Sequence, residues 1–468
     1  MFDRNDRASS EPYTVEPKPS HQASSSSRDG QIPMFNHNGH KVTKGIHPDG
    51  ESGRKGLHPF RFLKICFRST CTASRYANLL WPVVPAAIAI HFARSDLHLW
   101  IFILNFIAMI PAANLIGFAG QELARKLPKV FGIILETTLG SVVEIVLFMV
   151  LIRKGETSIP VIKAAILGSI LANLLLCLGL CFFVGGLRRH EQEFHEAVSE
   201  VGSGLMLVAG MALVVPAAYS TALSGSSTLT VPQAVLDDNI LEISRATAIV
   251  LLVAYCIYIF FQMRSHHSIY DEVLEGDEHK DEDRHVDLKK DKLTLTECVI
   301  ALLFALACVS LIAVFLVEQI EFIVGERGIS DAFMGLILVP LVEKAAEHLT
   351  AVDEAWDNQT NFALSHVLGA SIQTALLNTP LVVLVGWGLG HHMDLNFEIF
   401  DAIVLILAIL VVGNFLRDGK SNYLEGVLCV LVYITIATAA FFYPNPPHPE
   451  STAAASGTAA ARLLLAKT

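Results

Sequence analysis

Gly335-Leu-Ile-Leu-Val-Pro-Leu-Val-Glu-Lys-Ala-Ala-Glu347-His348 decides how this chain folds. As far as Val342 it is apolar, like a helix crossing a bilayer, yet Glu343, Lys344, Glu347 and His348 then follow within six residues. An ionised side chain at the bilayer centre costs roughly 2.5–3.5 kcal/mol even on the lenient insertion scale, so the cluster must face protein or water. The stretch has a twin, Gly132-Ile-Ile-Leu-Glu-Thr-Thr-Leu-Gly-Ser-Val-Val-Glu144. Aligned without gaps, Gly132 falls on Gly335, Ile134-Leu135 on Ile337-Leu338, and Glu144 on Glu347. A glutamate inside the membrane, present twice in matching frames, is the organising fact of the sequence.

The rest of the composition fits a membrane setting. Of 468 residues 52% are hydrophobic and only 17% charged, the charges lying between long apolar runs. The mean hydropathy is +0.49. The expected class is an all-α integral membrane protein rather than a set of soluble domains. A net charge of −11, concentrated locally, gives no reason to expect nucleic acid as a partner. The eight cysteines are scattered, mostly within apolar segments, and form no metal knuckle; they read as small packing residues. The first residues are polar and show no basic–apolar–cleavage pattern, so no signal peptide is expected.

Along the chain, residues 1–60 are rich in Ser, Pro, Gly and His and read as a disordered cytosolic tail. Arg61, Lys64, Arg68 and Arg75 then precede the first apolar run, which places the N-terminus in the cytosol. Eleven apolar segments follow, at about 79–93, 98–118, 133–152, 160–184, 202–219, 243–263, 295–317, 330–351, 362–388, 399–415 and 422–443. An acidic cytosolic loop, 265–292, divides them into 75–264 and 293–445, and 446–468 reads as a loose tail. The twin glutamates sit on the third and eighth segments, five apart, so their helices run in opposite directions. Two inverted five-helix repeats plus one leading helix are therefore expected. That is the architecture of secondary transporters whose site lies near the midplane between the halves.

A second pair recurs beside each glutamate helix: Leu167-Gly-Ser-Ile-Leu-Ala-Asn173 and Leu368-Gly-Ala-Ser-Ile-Gln-Thr374. Small residues alone are ordinary packing between membrane helices, but here they accompany both glutamates. Two bare carboxylates facing each other in low dielectric are costly. Protons on both, or a bound cation, relieve the cost, so proton–cation exchange follows from the electrostatics. Ca²⁺ fits because it takes six to eight oxygens. Glu144 and Glu347 are the candidate cation ligands, with Glu343, Ser141, Ser169, Asn173, Ser371 and Gln373 as further cation- or proton-binding groups. His348 reads as a hydrogen-bond partner or proton relay. The partners implied are the lipid bilayer, inorganic cations and protons, with no permanently bound cofactor. No hydrolase motif is present: there is no His-Glu-x-x-His and no Gly-x-Ser-x-Gly. A channel would more naturally repeat its filter in identical subunits.

At these residues the chain resembles the cation/proton exchanger (CAX) family of vacuolar Ca²⁺/H⁺ antiporters. The glutamate helices carry the resemblance, together with 167–176, Met393-Asp-Leu-Asn-Phe397 and Asp418-Gly-Lys-Ser-Asn-Tyr-Leu-Glu-Gly426. The resemblance implies a vacuolar membrane and movement of cytosolic Ca²⁺ into the vacuole by alternating access. It also implies an acidic stretch between the halves, which Asp271-Glu272, Glu275, Asp277-Glu278 and Asp281-Glu282-Asp283 supply. Two signatures depart from the family pattern. Gly-Asn-x-x-Glu is here Gly140-Ser141-Val-Val-Glu144, and Gly-Asn-Ala-Ala-Glu-His is here Glu343-Lys344-Ala-Ala-Glu347-His348. Lys344 accepts no hydrogen bond and lies one turn from Glu347. Three outcomes are open. Glu343 replaces the lost ligand and Ca²⁺/H⁺ exchange survives; Lys344 lowers the site's charge so that Na⁺ or K⁺ is exchanged; or the pair locks the site, leaving a transport-dead sensor or scaffold.

Overall fold

The apolar runs form helices because lipid offers no partner for backbone N–H and C=O groups, which a helix satisfies within itself. The computed structural model describes residues 36, 40–43, 46–224, 231–281, 284–327 and 329–444. Most of the tail expected before residue 46, Glu282-Asp283 of the acidic segment and the tail 446–468 lie outside the described residues. The first half comprises α1 (Thr72–Ala93), α2 (His98–Ala124), α3 (Lys129–Lys154), α4 (Glu156–Arg188), α5 (Glu196–Ser224) and α6 (Gln233–Ser265). After α7 (His267–Lys280) come α8 (Leu295–Arg327), α9 (331–356), α10 (Thr360–Leu389), α11 (Ile399–Phe415) and α12 (Tyr423–Phe441).

Among the described residues, nine helices of 19 to 33 residues are long and apolar enough to cross a membrane. The expected eleven segments take in two more. One is α11, at 17 residues; the other is α9, whose helix is interrupted. The chain is an integral membrane protein.

The packing is that of two exchangeable halves. Helix α2 lies against α8, and α5 against α11; α3 packs on α10 while α9 packs on α4; α4 packs on α12 while α10 packs on α6. Exchanging the first half (α2–α6) with the second (α8–α12) maps the α2–α8 and α5–α11 pairs onto themselves and each of the other pairs onto its counterpart. Helix α10 is central, with 78% of its most apolar stretch buried, whereas α6 has 11% buried and turns outward.

The glutamate helix α9 shows how sequence shapes the crossing. Ser330 caps it, its hydroxyl accepting from the N–H groups of Ala332 at 3.1 Å and Phe333 at 3.4 Å. A wide π turn occupies Met334–Leu338, α-helix resumes over Val339–Glu343, stops at Lys344, and continues as Ala345–Trp356. Pro340 has no N–H to give and its ring crowds the carbonyl four residues earlier, that of Leu336, so the turn widens there. The displaced Leu336 carbonyl closes on Gly168 of α4, leaving no space for a Cβ. Thus the small residue of the repeated motif is the crossing point. Wide π turns also follow both motifs, at Ala172–Cys177 in α4 and Thr374–Asn378 in α10.

Two stretches are more ordered than the sequence suggested. The acidic segment 265–292, expected as a loop, is largely helical. Within it Asp277 caps α10, accepting from the backbone N–H of Asn361 at 2.6 Å and Phe362 at 3.3 Å and from the Asn361 amide at 2.8 Å. Burial raises the Asp277 carboxyl above the usual aspartate range, against the lowering effect of those bonds. The tail expected to run to residue 60 packs on the bundle from about residue 46. There Lys126 Nζ donates to the Gly50 carbonyl at 2.6 Å and to that of Leu293 at 2.8 Å. Between the loops, β1 (Gln192–Glu193) pairs antiparallel with β2 (Lys420–Ser421).

Candidate cation site

Glu144 of α3 and Glu347 of α9 meet where the two halves cross, as the repeat predicts. They do not face each other directly. The Lys344 ammonium lies between them, 3.0 Å from Glu144 Oε2 and 3.4 Å from Glu347 Oε2. Both Glu144 and Lys344 are fully buried. Lys344 reaches this position from the break in α9, where it takes φ −92° and ψ −5°. Among the described residues no group of three His, Cys, Asp or Glu side chains forms a ready-made metal site; an ammonium already holds the position between the carboxylates.

Each glutamate is set by the opposite half. Glu144 Oε2 also accepts from the Thr374 hydroxyl at 3.0 Å and the Asn378 amide at 3.0 Å, both on the π turn of α10. Glu347 lies against Gly140 of α3, where a Cβ would collide with its carboxylate. Absence of a side chain there is what admits the carboxylate. In the repeat Gly140 corresponds to Glu343, so the second half carries a third carboxylate at this place. Glu343 is 3% exposed, and neither of its carboxyl oxygens has a hydrogen-bond partner among the described residues.

The neutral residues sort differently from expectation. Ser141 donates to Gln373 Oε1 at 3.0 Å, and the Gln373 amide donates to Thr138 at 3.2 Å and to the Tyr255 hydroxyl at 3.1 Å. That network ties α3, α6 and α10 together and leaves Ser141 and Gln373 engaged with each other. The Ser371 hydroxyl donates to the Val367 carbonyl of its own helix at 2.9 Å. The Ser169 hydroxyl is buried without a partner among the described residues. Asn173 Oδ1 meets His348 Nε2 at 3.1 Å, which makes His348 a hydrogen-bond partner across the α4–α9 crossing. Thr374 and Asn378 were not anticipated. In the repeat Asn378 corresponds to Cys177, so comparing the two halves carried no signal for it.

The two glutamates differ in access. A cavity of 530 Å³ opens on the face that carries α7 and is lined by Glu136, Glu278, Asp281, Thr350, Glu354 and His366. A smaller pocket of 40 Å³ shares Glu136, Thr350 and His366 with it and reaches Glu347 and Asn173. The Glu347 side chain is accordingly 24% exposed, whereas that of Glu144 is sealed. At the junction His366 Nδ1 lies 2.8 Å from Glu354, and Nε2 lies 3.5 Å from Glu136.

A site built at equivalent positions of two exchangeable halves, with Glu347 reached from the α7 face, is an exchanger's geometry. Residues 97–264 and 298–442 match the family described as sodium/calcium exchanger protein. The chain belongs to that family. The matched blocks span α2–α6 and α8–α12, leaving the leading helix and the whole acidic segment 265–292 outside. Vacuolar cation/proton exchanger 2 of Arabidopsis thaliana is 34% identical over 379 residues, 80% of this chain and 82% of the relative. The Ca²⁺/H⁺ antiporter of Aphanothece halophytica is 33% identical over 370 residues, 78% of this chain and 96% of the relative. The solved structure of native YfkE superposes with a TM-score of 0.62 at 25% identity, covering 78% of this chain and all of that one.

Proposed function

We propose that the protein is a secondary antiporter that exchanges Ca²⁺ for protons at Glu144 and Glu347, moving cytosolic Ca²⁺ into the vacuole. One observation carries this reading. Two carboxylates from matching places in the two halves converge on one cationic group, at 3.0 and 3.4 Å. The names of the relatives support it: a vacuolar cation/proton exchanger and a Ca²⁺/H⁺ antiporter.

The exchange follows from the charge of the site. Two ionised carboxylates buried together are poorly solvated and repel each other, so the empty anionic form is too costly to be carried across a closed state. Protons, or a divalent cation, make the site nearly neutral and let it pass between the two faces. Entry is through the cavity on the α7 face to Glu347, while Glu144 is closed off by Thr374 and Asn378. The balance of loop charges favours the cytosol for that face: Arg125, Lys126, Lys129, Arg188, Arg189, Arg264, Arg417 and Lys420 fall on it by alternation, against Arg153, Lys154 and Arg327 on the other. Oxygens beyond the two carboxylates come from Thr374 and from Asn378, whose Oδ1 is buried without a partner among the described residues.

Uptake of Ca²⁺, Mn²⁺, Na⁺ and K⁺ into sealed vesicles under an imposed pH gradient tests the proposal. Gln can neither release a proton nor balance a cation, so Glu144→Gln and Glu347→Gln should each abolish Ca²⁺ uptake. Gradient-driven uptake persisting in both variants would refute it.

A further inference from the structure

We propose that the Lys344 ammonium is a tethered stand-in for the transported cation, and that it moves to Glu343 when the ion binds. The inference rests on the antiporter reading above and assigns to two residues a role in when the site can load.

The ammonium occupies the place of a bound ion. It lies between the two glutamates, fully buried, within 3.0 Å of Glu144 and 3.4 Å of Glu347. An incoming cation needs those oxygens and cannot share them with an ammonium at that distance, because the two positive charges would repel in a site of low dielectric. The ion therefore binds only when Lys344 has left. An ammonium leaving these oxygens needs another acceptor, since an unpaired buried charge is strongly destabilising.

Glu343 is that acceptor. It is the neighbouring residue, 3% exposed, with both oxygens lacking a partner among the described residues. A buried carboxyl with nothing to bond is rare in a folded protein and points to a missing group. The helix is already interrupted at Lys344, so the side chain can turn from one acceptor to the other without breaking a continuous helical ladder. Four rotatable bonds in the lysine stem give it the reach.

The charge count says which ion this arrangement serves. With the ammonium moved onto Glu343 and that carboxyl ionised by the pairing, Glu144, Glu347 and Glu343 carry three negative charges and Lys344 one positive, leaving two. That is the charge of the glutamate pair alone. Lys344 without Glu343 would have left one, suited to a monovalent ion. With Glu343 present the added pair is neutral, and the demand for a divalent cation or two protons is retained.

The test compares wild type, Lys344→Asn, Lys344→Met, Glu343→Gln and Glu343→Gln/Lys344→Asn. It measures the KM and maximal rate of Ca²⁺ uptake in vesicles, and radiolabelled Ca²⁺ binding to purified protein. If the ammonium fills the site nine-tenths of the time, apparent affinity is reduced about tenfold. Lys344→Asn should then lower the KM and the dissociation constant about tenfold. Lys344→Met, which keeps the length and removes the charge, should tighten binding in the same direction. Glu343→Gln deprives the ammonium of its second acceptor and should weaken binding and uptake, and the double variant should recover the affinity of Lys344→Asn. A wild type that is nearly inactive beside an active Lys344→Asn would mean that the ammonium does not leave for Glu343, and overturns the inference. Unchanged or weaker binding in both lysine variants overturns it, as does a double variant no better than Glu343→Gln. If Glu144→Gln is dead while the lysine variants bind Ca²⁺ no tighter, this inference fails alone. Undiminished uptake in Glu144→Gln and Glu347→Gln would remove the antiporter reading and this inference with it.

Discussion

Replacing Gly140 by alanine tests whether the close approach of α3 to Glu347 sets the geometry of the site. The added Cβ would lie 2.9 Å from Glu347 Cδ and 3.3 Å from Cγ, where ordinary contact is 3.4–4 Å. The far end of a side chain yields more easily than a helix backbone, so the carboxyl group gives way, retreating by roughly 0.5–1 Å. Lys344 stays held by Glu144 at 3.0 Å, so its 3.4 Å contact with Glu347 lengthens. At an effective dielectric of about 20, stretching that contact to about 4.2 Å reduces the attraction from about 4.9 to about 4.0 kcal/mol. A Ca²⁺ ion using the same oxygen loses about twice that, while the competing ammonium loses it once, so the net penalty is about 1 kcal/mol. The expected result is a KM for Ca²⁺ raised about fivefold, from the ratio of about tenfold per 1.4 kcal/mol. Initial rates of uptake into sealed vesicles over a range of Ca²⁺ concentrations measure it. Alanine is the better helix former by about 1 kcal/mol, so the thermal midpoint should not fall with affinity. A KM within twofold of wild type would refute the reasoning, because the carboxylate would then not depend on the space at Gly140.

Two further outcomes follow from the packing. At Gly168 an added Cβ would lie 2.6 Å from the Leu336 carbonyl carbon and 2.7 Å from its Cα, both backbone atoms. Gly168→Ala should therefore cost about 1–3 kcal/mol and lower the unfolding midpoint of the purified protein, whereas Gly140→Ala should not; equal midpoints would contradict the crossing described. The Asp277 carboxyl is raised by burial, so the folded form binds its proton more tightly than the free segment does. Its contribution is fully present below the ordinary aspartate range and is lost as pH rises through the raised value. Hydrogen exchange in α7 should accelerate as pH rises through that window, after correction for intrinsic rates, and the pH dependence should vanish in Asp277→Asn; the same profile in the variant would exclude Asp277 as its origin.

Much of the architecture was legible because lipid makes it local. A run of apolar residues in a bilayer has to be helical, so nine long apolar helices could be placed from hydropathy alone. The pair Glu144 and Glu347 was legible for a different reason: a duplicated motif marks equivalent positions, and two equivalent positions in exchanged halves meet near the axis between them. The acidic segment misled because charge density suggests solvation, whereas Asp277 is drawn to the unpaired N–H groups at the start of α10.

What the chain determined by itself, then, is that it crosses the membrane repeatedly, folds as two related halves and buries a glutamate in each. Which groups surround those glutamates was decided only in three dimensions. Each residue turns a helix by about 100°, so a single wide turn rotates every later side chain to a new face. Such turns lie at Met334–Leu338, just before Glu343 and Lys344, and at Thr374–Asn378, which itself carries the two residues on Glu144. They carry Asn378 onto Glu144, and the break that follows in α9 sets Lys344 between the two carboxylates while Glu343 is left without a partner. Hydropathy and spacing assume an unbroken helical period, and at this site the period is interrupted by the packing of one half against the other.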